Sequence, residues 1–349
     1  METPRLAGSV EAKGRRALAF WLFACCATVF ATVVVGGITR LTHSGLSIVE
    51  WQPIVGIVPP RSESDWQEAF AKYQRTPEYQ RVNAGMGLAA FKRIFWWEYA
   101  HRAVARANGL VFLLPLAYFA VRRRLTRELL LKLSVVFALG GLQGVLGWYM
   151  VVSGLVDDPH VSHFRLTAHL GLAFLIWAAL LWLALGFLRP AEAAGEAGAR
   201  PGMRRFAAGL ALLTFLMILS GGLVAGLHAG LLYNTFPLMG GYVVPPLALA
   251  GRPLLRDLVS NVATVQFNHR VIGWALAFSA TALCLWVSRV GAPRRVRLAA
   301  RALLAGVALQ FALGVATLLL LVPLPLAAAH QAGAMVVFGL AVWVNEELR

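Results

Sequence analysis

The sequence predicts an all-α polytopic membrane protein, with eight transmembrane helices forming two parallel-repeat four-helix bundles. Three observations predict it. Of 349 residues, 59% are hydrophobic and 14% charged, with a mean hydropathy of +0.68; soluble domains carry roughly a quarter charged residues. Apolar runs of about 20 residues recur, each long enough to cross a bilayer core. Four short motifs also occur twice, in the same order.

The eight spans are expected at residues 17–38, 99–121, 129–152, 164–187, 204–227, 267–288, 298–321 and 326–344. About 16 polar residues precede the first, with Glu2 and Glu11 among Arg5, Lys13, Arg15 and Arg16. This is not an acid-free transit peptide, so the first span reads as a retained helix. Pro115 falls inside the second span, where neighbouring helices must satisfy the carbonyl it frees. Cys25, Cys26 and Cys284 all lie in apolar runs and read as packing residues, with no disulfide framework or covalent haem motif.

The net charge of +16 is explained by orientation. Lys and Arg cluster before span 1 and after spans 2, 4 and 6, which places both termini in the cytoplasm and the long segments 39–98 and 228–266 outside. No basic stretch interleaved with aromatics suggests nucleic acid. Residues 189–203 (RPAEAAGEAGARPGM) read as a flexible cytoplasmic linker. It separates an N-terminal half, 1–188, from a C-terminal half, 204–349.

The halves repeat. Gly36-Gly37 with His43-Ser44-Gly45-Leu46 matches Gly221-Gly222 with His228-Ala229-Gly230-Leu231. Glu98 and His101-Arg102 match Gln266 and His269-Arg270. Leu142-Gln143 with Gly147 matches Leu309-Gln310 with Gly314, and His169 matches His330. The offsets are 185, 168, 167 and 161, shrinking in order as expected when loops differ and helices do not. Four spans per copy give both copies the same orientation.

Ionisable residues inside membrane helices are costly and usually functional. His101, His169, His269 and His330 all fall near the outer ends of even-numbered spans. Two imidazoles facing each other across a four-helix bundle suit an iron porphyrin, and Arg102 and Arg270 suit its propionates. Repeat-related glycines suit close helix contact and room for a porphyrin face. His43 and His228, just beyond spans 1 and 5, are secondary candidates for a propionate or haem edge, with loop packing an equal alternative. His160 and His163 read as interfacial. Glu98, opposite Gln266 in the repeat, is the informative asymmetry. Only one half has an acid three residues before its histidine, either for chemistry or to pair with Arg102 at the membrane edge.

These residues resemble the heme A synthase family over nearly the whole chain. The resemblance is carried by Val35-Gly36-Gly37-Ile38-Thr39-Arg40-Leu41-Thr42, Ser44-Gly45-Leu46-Ser47, Trp51, Pro53, Gly56 and Pro59-Pro60. Further along it is carried by Glu98-Tyr99-Ala100-His101-Arg102, the run Gln143 to Val151 with Ser153-Gly154-Leu155, and Arg165 to Leu170. Ala229 to Met239, Gln266 to Arg270 and His330-Gln331 complete it. The fuller outer loops are similar to the proteobacterial–mitochondrial branch.

The resemblance implies a membrane haem-dependent oxidoreductase of the bacterial inner membrane. It would oxidise the C8 methyl of heme O to a formyl group, through successive hydroxylations and a geminal diol, giving heme A for terminal oxidases. His269 and His330, with Arg270, would hold a resident haem b. His101 and His169, with Arg102, would hold heme O, and Glu98 would be catalytic. Heme O synthase, oxidase assembly factors and an electron carrier are the implied partners. Some members carry a cysteine pair in the first external loop. Residues 39–98 contain no cysteine, so chemistry needing that pair is not carried over. The alternative is a diheme b-type electron-transfer cytochrome, which also uses four histidines but has no need of Glu98. A transporter would need helices broken near the midplane, whereas the ionisable groups here lie near the ends.

Overall fold

The computed structural model describes residues 4–50, 55–156, 161–189 and 200–349. His160, Trp51, Pro53 and linker residues 190–199 lie outside the described residues. Eleven α-helices are present among them, in the order α1 (Pro4–Leu41), α2 (Glu63–Gln74), α3 (Pro77–Arg81), α4 (Leu88–Val121), α5 (Arg127–Val156), α6 (His163–Leu188), α7 (Pro201–Gly226), α8 (Leu254–Ser260), α9 (Val262–Arg289), α10 (Arg294–Leu319) and α11 (Leu324–Glu347). Eight of them, α1, α4–α7 and α9–α11, are long and apolar enough to cross a membrane, as the apolar runs predict.

In the first half α1 packs on α4 and α6, and α5 packs on α6. In the second, α7 packs on α9 and α11, and α10 on α9 and α11. Between the halves α6 meets α7 and α11, and α1 meets α11. The core is not cut at this boundary. Phe338 of α11 lies 6.2 Å from Phe174 of α6 and is buried with Trp21, Leu22 and Trp177.

Local chemistry explains why these helices sit where they do. Pro115 leaves α4 continuous. The carbonyl it frees, four residues back at Val111, accepts from the Trp21 indole of α1 at 2.9 Å. Trp177 Nε1 of α6 donates to the Cys26 carbonyl at 3.0 Å, beside the buried thiols of Cys25 and Cys26. These cysteines are packing residues of the α1 interface. At the end that carries the chain termini, Arg189 Nη1 donates to the Glu346 carbonyl at 2.9 Å and Arg204 Nη2 to the Arg349 carbonyl at 2.9 Å.

The opposite end carries a small helical cap that the hydropathy reading treats as loop. Ser62 and Asp65 form a capping box that starts α2, and Thr76 followed by Pro77 starts α3. Trp66 and Tyr73 of α2 bury against Phe91 and Phe95. This contact corrects the expected start of the second span. The helix begins at Leu88, about three turns before residue 99, because Phe91 and Phe95 need a helical face to reach the cap.

Candidate functional site

Each of the four predicted histidines rests against a glycine on a neighbouring helix. A Cβ on Gly36 of α1 would lie 2.8 Å from His101 Nε2 of α4, and one on Gly147 of α5 3.2 Å from His169 Cε1 of α6. In the second half, a Cβ on Gly221 of α7 would lie 3.4 Å from His269 Cε1 of α9, and one on Gly314 of α10 2.7 Å from His330 Cε1 of α11. Of the glycines expected to make close helix contacts or clear a porphyrin face (Gly36, Gly37, Gly140, Gly144, Gly221, Gly222 and Gly226), Gly36 and Gly221 lie against these histidine rings. In the first half α4 and α6, which carry His101 and His169, both pack on α1; in the second half α9 and α11, which carry His269 and His330, both pack on α7.

The neighbouring glycines do something different. Gly37 accommodates the Gln331 side chain of α11, and Gly222 accommodates Thr167 of α6. Each double glycine therefore seats one histidine of its own half and a residue one or two places from a histidine of the other half. Gln331 Nε2 also donates to the Val33 carbonyl of α1 at 2.7 Å.

The rings are anchored unequally. His269 Nδ1 lies 3.2 Å from the Ser220 hydroxyl, and His330 Nδ1 lies 3.1 Å from the Gln310 amide. His169 Nδ1 is buried with no hydrogen-bond partner, although Gln143, the counterpart of Gln310, donates to the His169 carbonyl at 2.9 Å. Ser220 stands in the repeat where the first half has Val35. Sequence reasoning passed over Ser220 and the two glutamines, although both glutamines lie in a repeated motif and Ser220 directly precedes Gly221.

Glu98 and Arg102 pair with each other and with the loop after α1. Glu98 is 2% exposed. Its carboxylate accepts from Ser47 Oγ at 2.7 Å, Ile48 N at 2.8 Å and Arg102 Nη2 at 2.6 Å. Arg102 also donates to the carbonyls of Ile48 at 2.9 Å and Glu50 at 3.2 Å. Arg270 binds its own loop in the same way, donating to the carbonyls of Tyr233 and Thr235, each at 2.8 Å. Gln266 Nε2 lies 3.3 Å from the Tyr233 carbonyl. Arg102 and Arg270, expected to be propionate partners, bind loop carbonyls here, as the five donors of a guanidinium allow.

His43 and His228 are brought together across the halves. Their rings stack at 6.4 Å with an interplanar angle of 11°. Each follows a helix end in the left-handed conformation, with φ of 51° and 52°. Nearby, Arg40 of α1 donates to the Ala225 carbonyl of α7. His163 is the first residue of α6 and lies 3.4 Å from the Ser260 hydroxyl.

Among the described residues no three His, Cys, Asp or Glu side chains gather as a bare-metal site. The donor set is four imidazoles at helix interfaces, each against a glycine, with one orphaned ring nitrogen. Imidazoles of this kind would suit haem iron.

Comparison with known proteins gives the family. Residues 19–342 match the family model COX15-CtaA, described as cytochrome oxidase assembly protein. The chain is 55% identical to a heme A synthase of Nitrosospira multiformis over 96% of this chain and 94% of that protein. It is 51% identical to a heme A synthase of Nitrosomonas eutropha, over 95% and 93%. It is 45% identical to heme A synthase COX15 of Bos taurus, over 96% and 82%. The chain belongs to the COX15-CtaA family of cytochrome oxidase assembly proteins.

Proposed function

We propose that this chain is a heme A synthase, which oxidises the C8 methyl of heme O to a formyl group. The observation that carries the assignment of the two halves is the unequal anchoring of the histidines. His269 and His330 have their second ring nitrogens held by Ser220 and Gln310, as suits a resident haem b. His169 has an orphaned Nδ1, as suits a haem that arrives and leaves. Bound haem b supplies one-electron redox chemistry at this site.

The chain's own residues do the rest. His101 and His169 position heme O between α4 and α6. Arg102 and Arg270 hold the loops over the two sites. Glu98 fixes loop 44–50 through Ser47 and Ile48 and places one carboxylate–guanidinium pair on the substrate side. The C-terminal half, with Gln266, has no counterpart. In this geometry Glu98 is a positioning residue. We read the two halves as a duplicated four-helix unit, supported by the matching helix neighbours and glycine seats. We place the chain in the bacterial inner membrane, with the termini in the cytoplasm and the α2–α3 cap outside, on the arginine distribution. Heme O synthase, oxidase assembly factors and an electron carrier are its proposed partners.

The test is to extract haem from purified protein made with and without a heme O supply, and to identify it by mass. Haem b together with heme O, a hydroxylated intermediate or heme A is the expected result. Haem b alone in both halves, with heme O supplied, would establish the diheme electron carrier instead. His269→Ala or His330→Ala is expected to remove resident haem b and abolish turnover, and normal haem b in either variant overturns the assignment.

A further inference from the structure

The two halves differ along one strip of α5 and α10. Aligned at the offset of 167, Leu133 and Ala300 are both buried, as are Val136 and Leu303, while Gly147 and Gly314 both seat a histidine. Between these matched positions the strips diverge. Val307 of α10 is 3% exposed, and its counterpart Gly140 is exposed with no atom within 4 Å of where a Cβ would stand. One turn on, Phe311 lies 4.8 Å from Trp274 and 5.9 Å from Phe236, and these rings fill the seam between α9 and α10. The counterpart of Phe311 is Gly144, again exposed with nothing within 4 Å. Trp274 is matched by Arg106, and on the next turn Gly109 of α4 also has nothing within 4 Å.

A row of glycines alone specifies nothing. Here the row ends at a binding group, because Gly147 lies against the His169 ring. The His169 Nδ1 and the Gln143 Oε1 beside it are buried without partners. Gly140 lies about 10 Å from Gly147 along α5. The exposed glycine row therefore runs along α5 away from the residue that lies against the His169 ring, in the half assigned to heme O and not in the half assigned to haem b. Heme O differs from haem b by a long isoprenoid chain on the porphyrin rim. We propose that the α4–α5 seam at Gly140 and Gly144 seats that chain and admits it sideways from the bilayer. The proposal rests on the heme A synthase reading, which assigns the halves.

The test titrates the purified full-length protein with heme O and, separately, with iron protoporphyrin lacking the chain, following Soret absorbance beyond that of the resident haem. Wild type is expected to bind heme O about tenfold or more tightly than the chain-free haem, since several methylenes leave water. Installing the second half's residues, Gly140→Val with Gly144→Phe, is expected to abolish that preference. Affinity for the chain-free haem and resident haem content should stay unchanged. Equal wild-type affinities, a preserved preference in the double variant, or equal loss of both haems would each overturn the proposal. If the double variant loses its resident haem, the wild-type comparison and Gly144→Leu alone decide. Conversion of heme O is measured in the same samples. Preference without conversion sinks the enzyme reading but keeps the seam, and conversion without preference sinks the seam alone.

Discussion

The four glycine seats make the site sensitive to a single methyl group. A Cβ at Gly36 would approach His101 Nε2 to 2.8 Å, and one at Gly314 would approach His330 Cε1 to 2.7 Å, so in each case the ring must move. Overpacking of this kind costs about 1–3 kcal/mol. The two substitutions should act on different haems. Gly314→Ala is expected to lose resident haem b, whereas Gly36→Ala should retain it and bind heme O about tenfold or more weakly. Haem content and Soret titration measure both, and identical effects from the two would refute the assignment of the halves. The glycine–histidine repeats were visible in the sequence because they sit in matched motifs. The contact between them was not, because residues 36 and 101 belong to different helices and nothing in either run encodes the pairing.

Among the elements, the loops following α1 and α7 are held by helices that carry histidines. The Glu98–Arg102 pair lies at 2.6 Å with side chains 3% and 12% exposed. Removing one partner of a buried pair costs about 3–5 kcal/mol, and here the loss falls on loop 44–50. Arg102→Ala is expected to raise amide exchange in that loop while resident haem b stays bound. Glu98→Gln should keep haem b and its spectrum but lower heme O turnover on the order of a hundredfold, as misplacement of a bound substrate does. Wild-type turnover in Glu98→Gln would end the argument from asymmetry. The second loop depends on pH. Asp257 of α8 accepts from Thr264 Oγ1 at 2.7 Å, Asn261 Nδ2 at 2.9 Å and Gly251 N at 3.0 Å. These bonds, that from Thr264 foremost, hold its carboxyl below the usual carboxylate range. A lowered folded-state value stabilises above the unfolded value and is lost as pH falls through the folded one. Amide exchange in 249–261 should therefore rise, after correction for intrinsic rates, as pH falls through and below the ordinary aspartate range. Asp257→Asn should remove that dependence. The spans themselves were legible because bilayer-length apolar runs admit few other structures. The start of α4 was not, since Lys92 and Arg93 interrupt the run and the reason for its extra turns, Phe91 and Phe95 against Trp66 and Tyr73, is tertiary. The α2–α3 cap was within reach, as Ser62 with Asp65 and Thr76-Pro77 are ordinary helix starts. The loop clamps were out of reach, because their acceptors are main-chain carbonyls that no side chain announces.

At the scale of the whole molecule, the double glycines join the two histidine pairs, the proposed haem sites, through adjacent residues. His101 rests on Gly36 while Gln331, next to His330, rests on Gly37. His269 rests on Gly221 while Thr167, two residues from His169, rests on Gly222. On the proposed assignment, a displacement of either ligand ring would be passed, through one backbone step, to the helix that carries a ligand of the other haem. Two sites so joined obey reciprocal linkage: whatever factor the second ligand adds to the first, the first adds to the second. Filling the substrate site should shift the midpoint potential of the resident haem, and reducing the resident haem should change heme O affinity by the corresponding factor. Potentiometric titration with and without heme O, beside affinities in both redox states, measures the two sides of that equality. Gln331→Ala is expected to shrink both together. The resident haem would then register what occupies its neighbour, so that its readiness to exchange electrons follows the presence of a substrate to be oxidised.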